Sequence, residues 1–174
     1  MSDHSPTHVD ALSYLDPRPE APPIDQMPLD LLYGDATCIN VSHKEPRTYI
    51  NEAIARSGAD VRKGDILLFY TGTFDRFHGT KEYLSQYPGL DESGSMWLVE
   101  KGIKTFGVDV LSPDNPASRK YPCYMTCPKY GITHYENLAN LDQGVGKRFT
   151  FVGFPLRIRE GTGSPVRAVA VLED

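Results

Sequence analysis

One short apolar run constrains the fold of this chain more than any other segment. Residues 65–71 read Asp-Ile-Leu-Leu-Phe-Tyr-Thr. A strand with one face in water alternates apolar and polar residues, so a nearly unbroken apolar run indicates a strand that is covered on both faces. Strands of this kind lie inside layered folds in which helices pack against a sheet. The run therefore predicts an α/β protein with a buried central strand.

Other segments predict strands that alternate with helices early in the chain and dominate later. The β-branched run at residues 36–42 is typical of a strand. Capping residues predict one helix over 48–58 and a second helix from Asp91 or Ser93 to Gly102. Further strands are predicted at 105–110, 132–136, 149–158 and 166–172. This order favours an α/β layered fold with a mixed sheet.

The composition excludes several classes of function. The chain has 174 residues, which suits a single domain over 1–174, and its net charge of −5 offers no footprint for nucleic acid. It lacks both a run of about 18 apolar residues and the layout of a signal peptide. Its three cysteines predict no disulfide framework, and the spacing Cys123-x-x-x-Cys127 is only a weak metal signal. We therefore expect a cytoplasmic protein that binds neither nucleic acid nor membrane.

A group of potential metal ligands lies at the amino terminus. His4, His8 and Asp10 are close in sequence, and their side chains are of the types that bind zinc or manganese. A straight strand would spread them over roughly 20 Å, and Pro6 argues against a helix. A bent segment that turns at Ser5-Pro6 would instead fold them onto one point. On spacing alone, a metal site and a tail with two solvated histidines are equally consistent interpretations.

The pattern His4-x-x-Thr7-His8-x-Asp10 resembles the signature of the cyclase family, which includes bacterial kynurenine formamidases and isatin hydrolases. Segments within 64–72, 106–114, 134–141 and 161–168 resemble further segments of that family in the same order. The resemblance covers nearly the whole chain and implies the swivelling β/β/α fold of kynurenine formamidase-like proteins. Family members usually carry a strand region before the signature, so we expect either a member shortened at its N-terminus or a start downstream of the natural one.

The resemblance also implies roles for individual residues. It makes His4, His8 and Asp10 metal ligands and places a metal ligand or acid/base at Glu136. Glu136 lies in a largely apolar predicted strand, where an unpaired carboxylate is costly to bury, so its setting also favours a partner. The ligand set suits zinc, manganese or iron, with zinc or manganese expected. His134, on the same strand face as Glu136, is a candidate ligand or proton relay.

Two tyrosines depart from the family pattern. Tyr14 stands where the signature has its last histidine, and Tyr124, which lies twelve residues before Glu136, stands where the family has another. Tyrosine has a pKa near ~10 against ~6.5 for histidine, so it is a poor base at neutral pH. We expect Tyr14 and Tyr124 to supply protons or hydrogen bonds rather than to remove protons.

A loop rich in aromatic residues follows the apolar run. Phe74, Phe77 and His78, with Tyr83 and Tyr87, predict either an apolar wall for a ring-containing substrate or simple packing under a surface loop. The preferred function is a metal-dependent hydrolase that cleaves an amide, lactam or lactone bond of a small substrate with metal-activated water.

Two other functions remain open. One is a polyketide-type cyclase or lyase that uses the same metal site, and the other is a degenerate member that binds metal or ligand without catalysis. By resemblance, the protein is expected to be a homodimer or homotetramer.

Overall fold

A computed structural model describes residues 2–14, 16, 18–52 and 60–172 of the chain. Within this part, eight strands form one sheet in the order β10-β8-β2-β4-β6-β7-β1-β9, and β3 pairs with β5 apart from it. The strands are β1 (His8–Asp10), β2 (Tyr33–Asn40), β3 (Tyr49–Ile50), β4 (Ile66–Tyr70), β5 (Gly89–Leu90), β6 (Thr105–Val108), β7 (Thr133–Glu136), β8 (Arg148–Val152), β9 (Gly163–Pro165) and β10 (Val169–Val171). The middle strands β2, β4, β6 and β7 run parallel, and the flanking strands pair antiparallel. The predicted α/β fold with a mixed sheet is confirmed.

The helices described are short. They are α1 (Thr73–Phe77), α2 (Glu92–Lys101) and α3 (Pro122–Thr126), with single 3-10 turns at Leu12–Tyr14, Ile24–Gln26, Leu29–Leu31, Glu82–Leu84, Cys127–Tyr130 and Leu141–Gly144. The side chain of Asp91 caps α2 by accepting the N–H of Gly94 at 2.9 Å, and Gly102 ends it with a φ of 68°. The second predicted helix is therefore present. No helix in the described residues is long and apolar enough to cross a bilayer.

β4 separates two hydrophobic cores. Leu67 and Phe69 pack into one core together with Trp97 of α2, and this core is here called the α2 core. Ile66 and Leu68, which point the other way, pack into a second core on the opposite face of the sheet. This alternation explains the apolar run, because both faces of β4 are removed from water.

Several predicted elements differ in extent. Residues 49–50 form β3, so no helix begins at residue 48, and residues 53–59 of that prediction lie outside the described part. The strand predicted over 149–158 ends at Val152. The N–H of the next residue, Gly153, donates to the carbonyl oxygen of Leu32. Cys123 and Cys127 are buried in the α2 core with their sulfurs 3.6 Å apart, and no group of metal ligands in the described residues includes them.

Arg148 ties the start of β8 to the start of β4. Its guanidinium donates to both carboxylate oxygens of buried Asp65, at 2.8 and 2.9 Å. We expect Arg148→Ala to lower the free energy of unfolding by about 3 kcal/mol, because a buried carboxylate then loses its cation. Chemical denaturation would measure the loss. Asp35→Ala is the matched control: that carboxylate is exposed and 3.8 Å from Arg148, so it should cost less than about 1 kcal/mol. Equal losses in the two variants would contradict this account.

Candidate metal centre

Pairing between β1 and β7 brings the candidate ligands together. The two strands run antiparallel with His8 opposite Glu136. Side chains alternate along a strand, so His8 and Asp10 leave one face of β1, and His134 and Glu136 leave the matching face of β7. The apolar residue between the members of each pair enters the second core. Four polar side chains therefore meet on one side of the sheet, although only two residue pairs connect β1 to β7.

One half of this group, here called the inner cluster, consists of His4, His8, Oδ1 of Asp10 and Oε2 of Glu136. Nε2 of His8 lies 3.4 Å from each of these two carboxylate oxygens. Nδ1 of His8 donates to the carbonyl oxygen of Pro6 at 2.9 Å, so Nε2 is the ring nitrogen that faces the carboxylates and is available to an ion when the ring is neutral. Nε2 is buried and has no hydrogen-bond partner.

His4 completes the inner cluster from the chain segment before β1. Its Nδ1 lies 2.8 Å from Oδ1 of Asp10, and its Nε2 lies 2.9 Å from the hydroxyl of Thr162. The ring packs against Gly163 of β9 and against the ring of Tyr14, with ring centroids 4.3 Å apart. Sequence reasoning did not find Thr162 or Gly163, since only the folded chain brings β9 to the amino terminus.

A hydrogen-bonded frame holds the orientation of His8. The carbonyl oxygen of Pro6 accepts from His8 and also from the side-chain amide of Asn137, at 3.1 Å. The hydroxyl of Thr7 donates to the carbonyl oxygen of Asn137 at 2.7 Å, and the hydroxyl of Tyr83 donates to its side-chain oxygen at 2.9 Å. Partners of this kind fix which ring nitrogen of a histidine remains free for a metal.

The other half of the group, here called the outer cluster, consists of Oδ2 of Asp10, Oε1 of Glu136, His134 and Tyr124. Nε2 of His134 lies 3.3 Å from Oδ2 and 3.2 Å from Oε1. The hydroxyl of Tyr124 donates to the same Oε1 at 2.5 Å. Asp114 positions Tyr124 by accepting its backbone N–H at 3.1 Å, at the start of α3.

The charges of the centre influence one another strongly. Burial lowers the pKa of His8, but Asp10 and Glu136 outweigh it and raise that pKa to about 9. The same balance raises the pKa of His134 to about 10. Burial raises the pKa of Asp10, yet His134 and the other histidines hold it well below its usual range. Burial and the charge of Glu136 raise the pKa of Tyr124, which keeps its hydroxyl protonated.

A divalent ion fits the inner cluster. Imidazole nitrogens and carboxylate oxygens of His4, His8 and Asp10 lie within 4.8 Å of one another. Ligand atoms around a tetrahedral ion with bonds of ~2.0–2.1 Å lie roughly 3.3–3.4 Å apart, and His8 keeps 3.4 Å from both carboxylates. An ion would also use the unpaired lone pair of Nε2, which otherwise carries a desolvation cost.

An aromatic cavity opens next to His4. It has a volume of about 310 Å³, and its lining includes Phe74, His78 and Tyr83. The rings of Phe74 and His78 stack with centroids 4.2 Å apart. A larger cavity of about 530 Å³ lies where β8 and β10 curl over the opposite face of the sheet, and its lining includes none of the candidate ligands. Of these two cavities, the smaller one adjoins the candidate metal centre.

Two aromatic residues of the predicted wall lie elsewhere. Phe77 does not line the aromatic cavity; its ring faces the guanidinium of Arg76 at 5.5 Å instead. It follows Phe74 by three residues on α1, nearly one helical turn further from the cavity lining. Tyr87 is buried in the α2 core. Tyr14 stays half exposed beside His4, and burial, with the nearby carboxylates, raises its pKa.

Comparison with known proteins places this arrangement in a family. A family model described as putative cyclase matches residues 1–115. The chain belongs to the cyclase family. A kynurenine formamidase of Bacillus mycoides (strain KBAB4) is 30% identical over 176 residues, which span 97% of this chain and 76% of the relative.

Solved structures agree with this membership of the cyclase family. Isatin hydrolase A from Labrenzia aggregata, bound to benzyl benzoate, matches with a TM-score of 0.87 and 25% identity over 99% of this chain and 75% of that one. A predicted metal-dependent hydrolase from Bacillus stearothermophilus matches with a TM-score of 0.75 and 26% identity over 98% and 78%. The predicted family, fold and hydrolase class are confirmed, and the cyclase or lyase alternative is not favoured.

Gly163 leaves the space in which His4 reaches Asp10. A Cβ at this position would lie 2.8 Å from Cε1 of His4 and 3.1 Å from the carbonyl oxygen of Val9. We expect Gly163→Ala to displace the His4 ring and to weaken Mn²⁺ binding about tenfold. Calorimetric titration would measure the affinity. In a His4→Ala background the same change should have no further effect, and an undiminished loss there would contradict the proposed contact.

Binding of an ion at Nε2 of His8 requires that nitrogen to be free of a proton. The neighbouring carboxylates raise the pKa of His8, despite burial, from 6.5 to about 9. At pH values below this pKa a proton competes with the ion, so affinity for Mn²⁺ should rise with pH, by up to about tenfold per unit, and level off near the raised pKa. Titrations of chelator-treated protein between about pH 6 and 8 would test this. A flat profile would contradict it.

Proposed function

We propose that this chain is a metal-dependent hydrolase that cleaves an amide bond, open or within a lactam ring, or a lactone, in a small ring-containing substrate. One observation carries the proposal. The inner cluster presents a buried, unpartnered imidazole nitrogen between two carboxylates, directly beside a cavity with aromatic walls. The first feature suits a Lewis-acidic ion, and the second suits a flat ring.

The inner cluster would hold the ion through His4, His8, Asp10 and Glu136, and zinc or manganese suits this mixture of nitrogen and oxygen ligands best. A bound ion of this kind lowers the pKa of water toward ~7 and polarises a carbonyl group. We assign no other ligands, because Cys123 and Cys127 are buried away from the centre.

Side chains of the outer cluster accept and donate the protons of the proposed reaction. Glu136 is the base that accepts a proton from the attacking water at Oε1. Tyr124 keeps its hydroxyl proton because burial and the charge of Glu136 raise its pKa, so it donates to the oxyanion or to the leaving atom. His134 touches both carboxylates and is the second residue able to relay a proton. Tyr14, at the mouth of the centre, is a further donor.

The substrate class follows from the cavity and from the relatives. Kynurenine formamidase and isatin hydrolase are named for reactions on aromatic compounds. In this chain Phe74, His78 and Tyr83 would stack on such a ring and hold its carbonyl group beside His4. We also propose a single-domain cytoplasmic protein that assembles as a homodimer or homotetramer.

The test is hydrolysis by the metal-loaded protein of an N-formyl aryl amine and of isatin, in water enriched in oxygen-18. Label in the carboxylic acid product, with activity removed by a chelator and restored by Mn²⁺ or Zn²⁺, is the expected result. Ion binding without turnover over a broad panel of amides, lactams and lactones would overturn the proposal in favour of a degenerate binding protein.

Tyr124 provides a sharper test of the proton donor. We expect Tyr124→Phe to lower kcat by about 100-fold, with a smaller change in KM and an unchanged ion content, because the donor acts mainly in the transition state. Steady-state kinetics and elemental analysis would measure both. Tyr130→Phe, at an exposed position on the following turn, is the matched control and should retain full activity. Wild-type kcat in Tyr124→Phe would remove Tyr124 from the mechanism.

A further inference from the structure

The centre offers ligand atoms at two overlapping points rather than one. One group of possible ligands is His4, His8 and Asp10, and a second is Asp10, His134 and Glu136. Each carboxylate turns one oxygen toward His8 and the other toward His134. The atoms present therefore raise the question of whether the chain holds one ion or two.

The two histidines differ in where they carry a proton. His8 donates from Nδ1 to a carbonyl oxygen, so the neutral ring leaves Nε2 free for an ion. In the described part of the chain, Nδ1 of His134 has no hydrogen bond of this kind. Its Nε2 faces two oxygens that only accept, Oε1 of Glu136 at 3.2 Å and Oδ2 of Asp10 at 3.3 Å. These two oxygens favour a hydrogen on Nε2 in the neutral ring and in the charged ring alike.

Tyr124 adds a second hydrogen at the same place. Its hydroxyl donates to Oε1 of Glu136 at 2.5 Å. That oxygen thus has two donors around it, one from His134 and one from Tyr124. Oδ2 of Asp10 makes no hydrogen bond of good geometry, but His134 lies close enough to offset its charge. Oε1 of Glu136 is therefore already satisfied by donors of the chain, whereas Nε2 of His8 has no hydrogen-bond partner.

Packing keeps His134 in this position. Its ring is buried, stacks on Phe106 with centroids 5.3 Å apart, and meets the edge of Tyr124 at 5.0 Å. The space that borders the outer cluster is only about 10 Å³, which is near the lower limit for a single water. The N–H of the ring points at the two oxygens that an ion here would bind, and the packing leaves the ring no room to turn away.

We propose that the centre binds one divalent ion per chain, at the inner cluster, and that His134 with Tyr124 occupies the place between the outer carboxylate oxygens that a second ion would otherwise take. This inference rests on the metal centre of the proposed function. It makes His134 a positioning residue that balances charge, and not a metal ligand.

Counting ions in the whole protein tests the inference. The protein would be dialysed against excess Mn²⁺, freed of loosely held ions on a desalting column, and analysed for manganese per chain. One ion per chain is the expected result. Two ions per chain would overturn the inference and leave the proposed function standing. A chain that holds no ion would overturn the proposed metal centre itself, so the two failures are distinguishable.

A matched pair of leucine variants tests the inference independently, because only one of the two is expected to weaken Mn²⁺ binding. His8→Leu removes a ligand and should weaken Mn²⁺ binding by at least about 100-fold. His134→Leu keeps the bulk of the side chain but removes the N–H that offsets the charge of the two carboxylates. The carboxylates should then attract an ion at the inner cluster more strongly, so Mn²⁺ should bind at least as tightly as to the wild type. Weaker binding in a folded His134→Leu variant, checked by circular dichroism, would show that His134 is a ligand. The count in the wild-type protein decides the inference even if that variant does not fold.

Discussion

The register between β1 and β7 is the constraint on which the centre depends. Side chains in a strand alternate with a period of two, so a slip of β1 by one residue would send His8 and Asp10 into the core and bring Val9 to the face of the candidate ligands. Val9 and Tyr135 are both completely buried, which makes any other register costly. β9 holds β1 from its other edge, with Val9 opposite Ser164. The burial of Val9 and Tyr135 thus fixes the positions of the candidate ligands.

This register also concentrates charge. Asp10 and Glu136 approach one another in a buried setting, which would be unfavourable if positive or hydrogen-donating groups were absent. The chain supplies such groups on every side, through three histidines and Tyr124. An ion held by both strands would join β1 to β7 by bonds much stronger than the few hydrogen bonds of a three-residue strand. Ion binding and the stability of the amino-terminal segment would then be coupled.

The sequence predicted what depends on local pattern and could not predict what depends on distant contacts. The apolar run of β4 and the caps of α2 are local signals, and both elements formed as expected. The spacing of His4, His8 and Asp10 was equally consistent with a metal site and a solvated tail, and it carried no signal for Glu136, which is distant in sequence and was named through the family resemblance. For the same reason the contact of His4 with β9 had no signal. Within the aromatic loop, composition could not separate Phe74 from Phe77, since both lie on one side of α1 and only the surrounding fold decides which one lines the cavity.

The hydrogen bond from Tyr124 to Glu136 links the proposed base to its proposed donor. Oε1 of Glu136 accepts from Tyr124 and faces the N–H of His134, and a carboxylate oxygen has about two lone pairs to offer. While both contacts persist, that oxygen has little capacity left for a proton from water. In the proposed mechanism, Glu136 would become an effective base when Tyr124 turns its hydroxyl toward another acceptor, and the carbonyl oxygen of a bound substrate is one. In such a site the arrival of the substrate would free the base in the same movement that engages the donor, a coupling that a histidine with its lower pKa does not require.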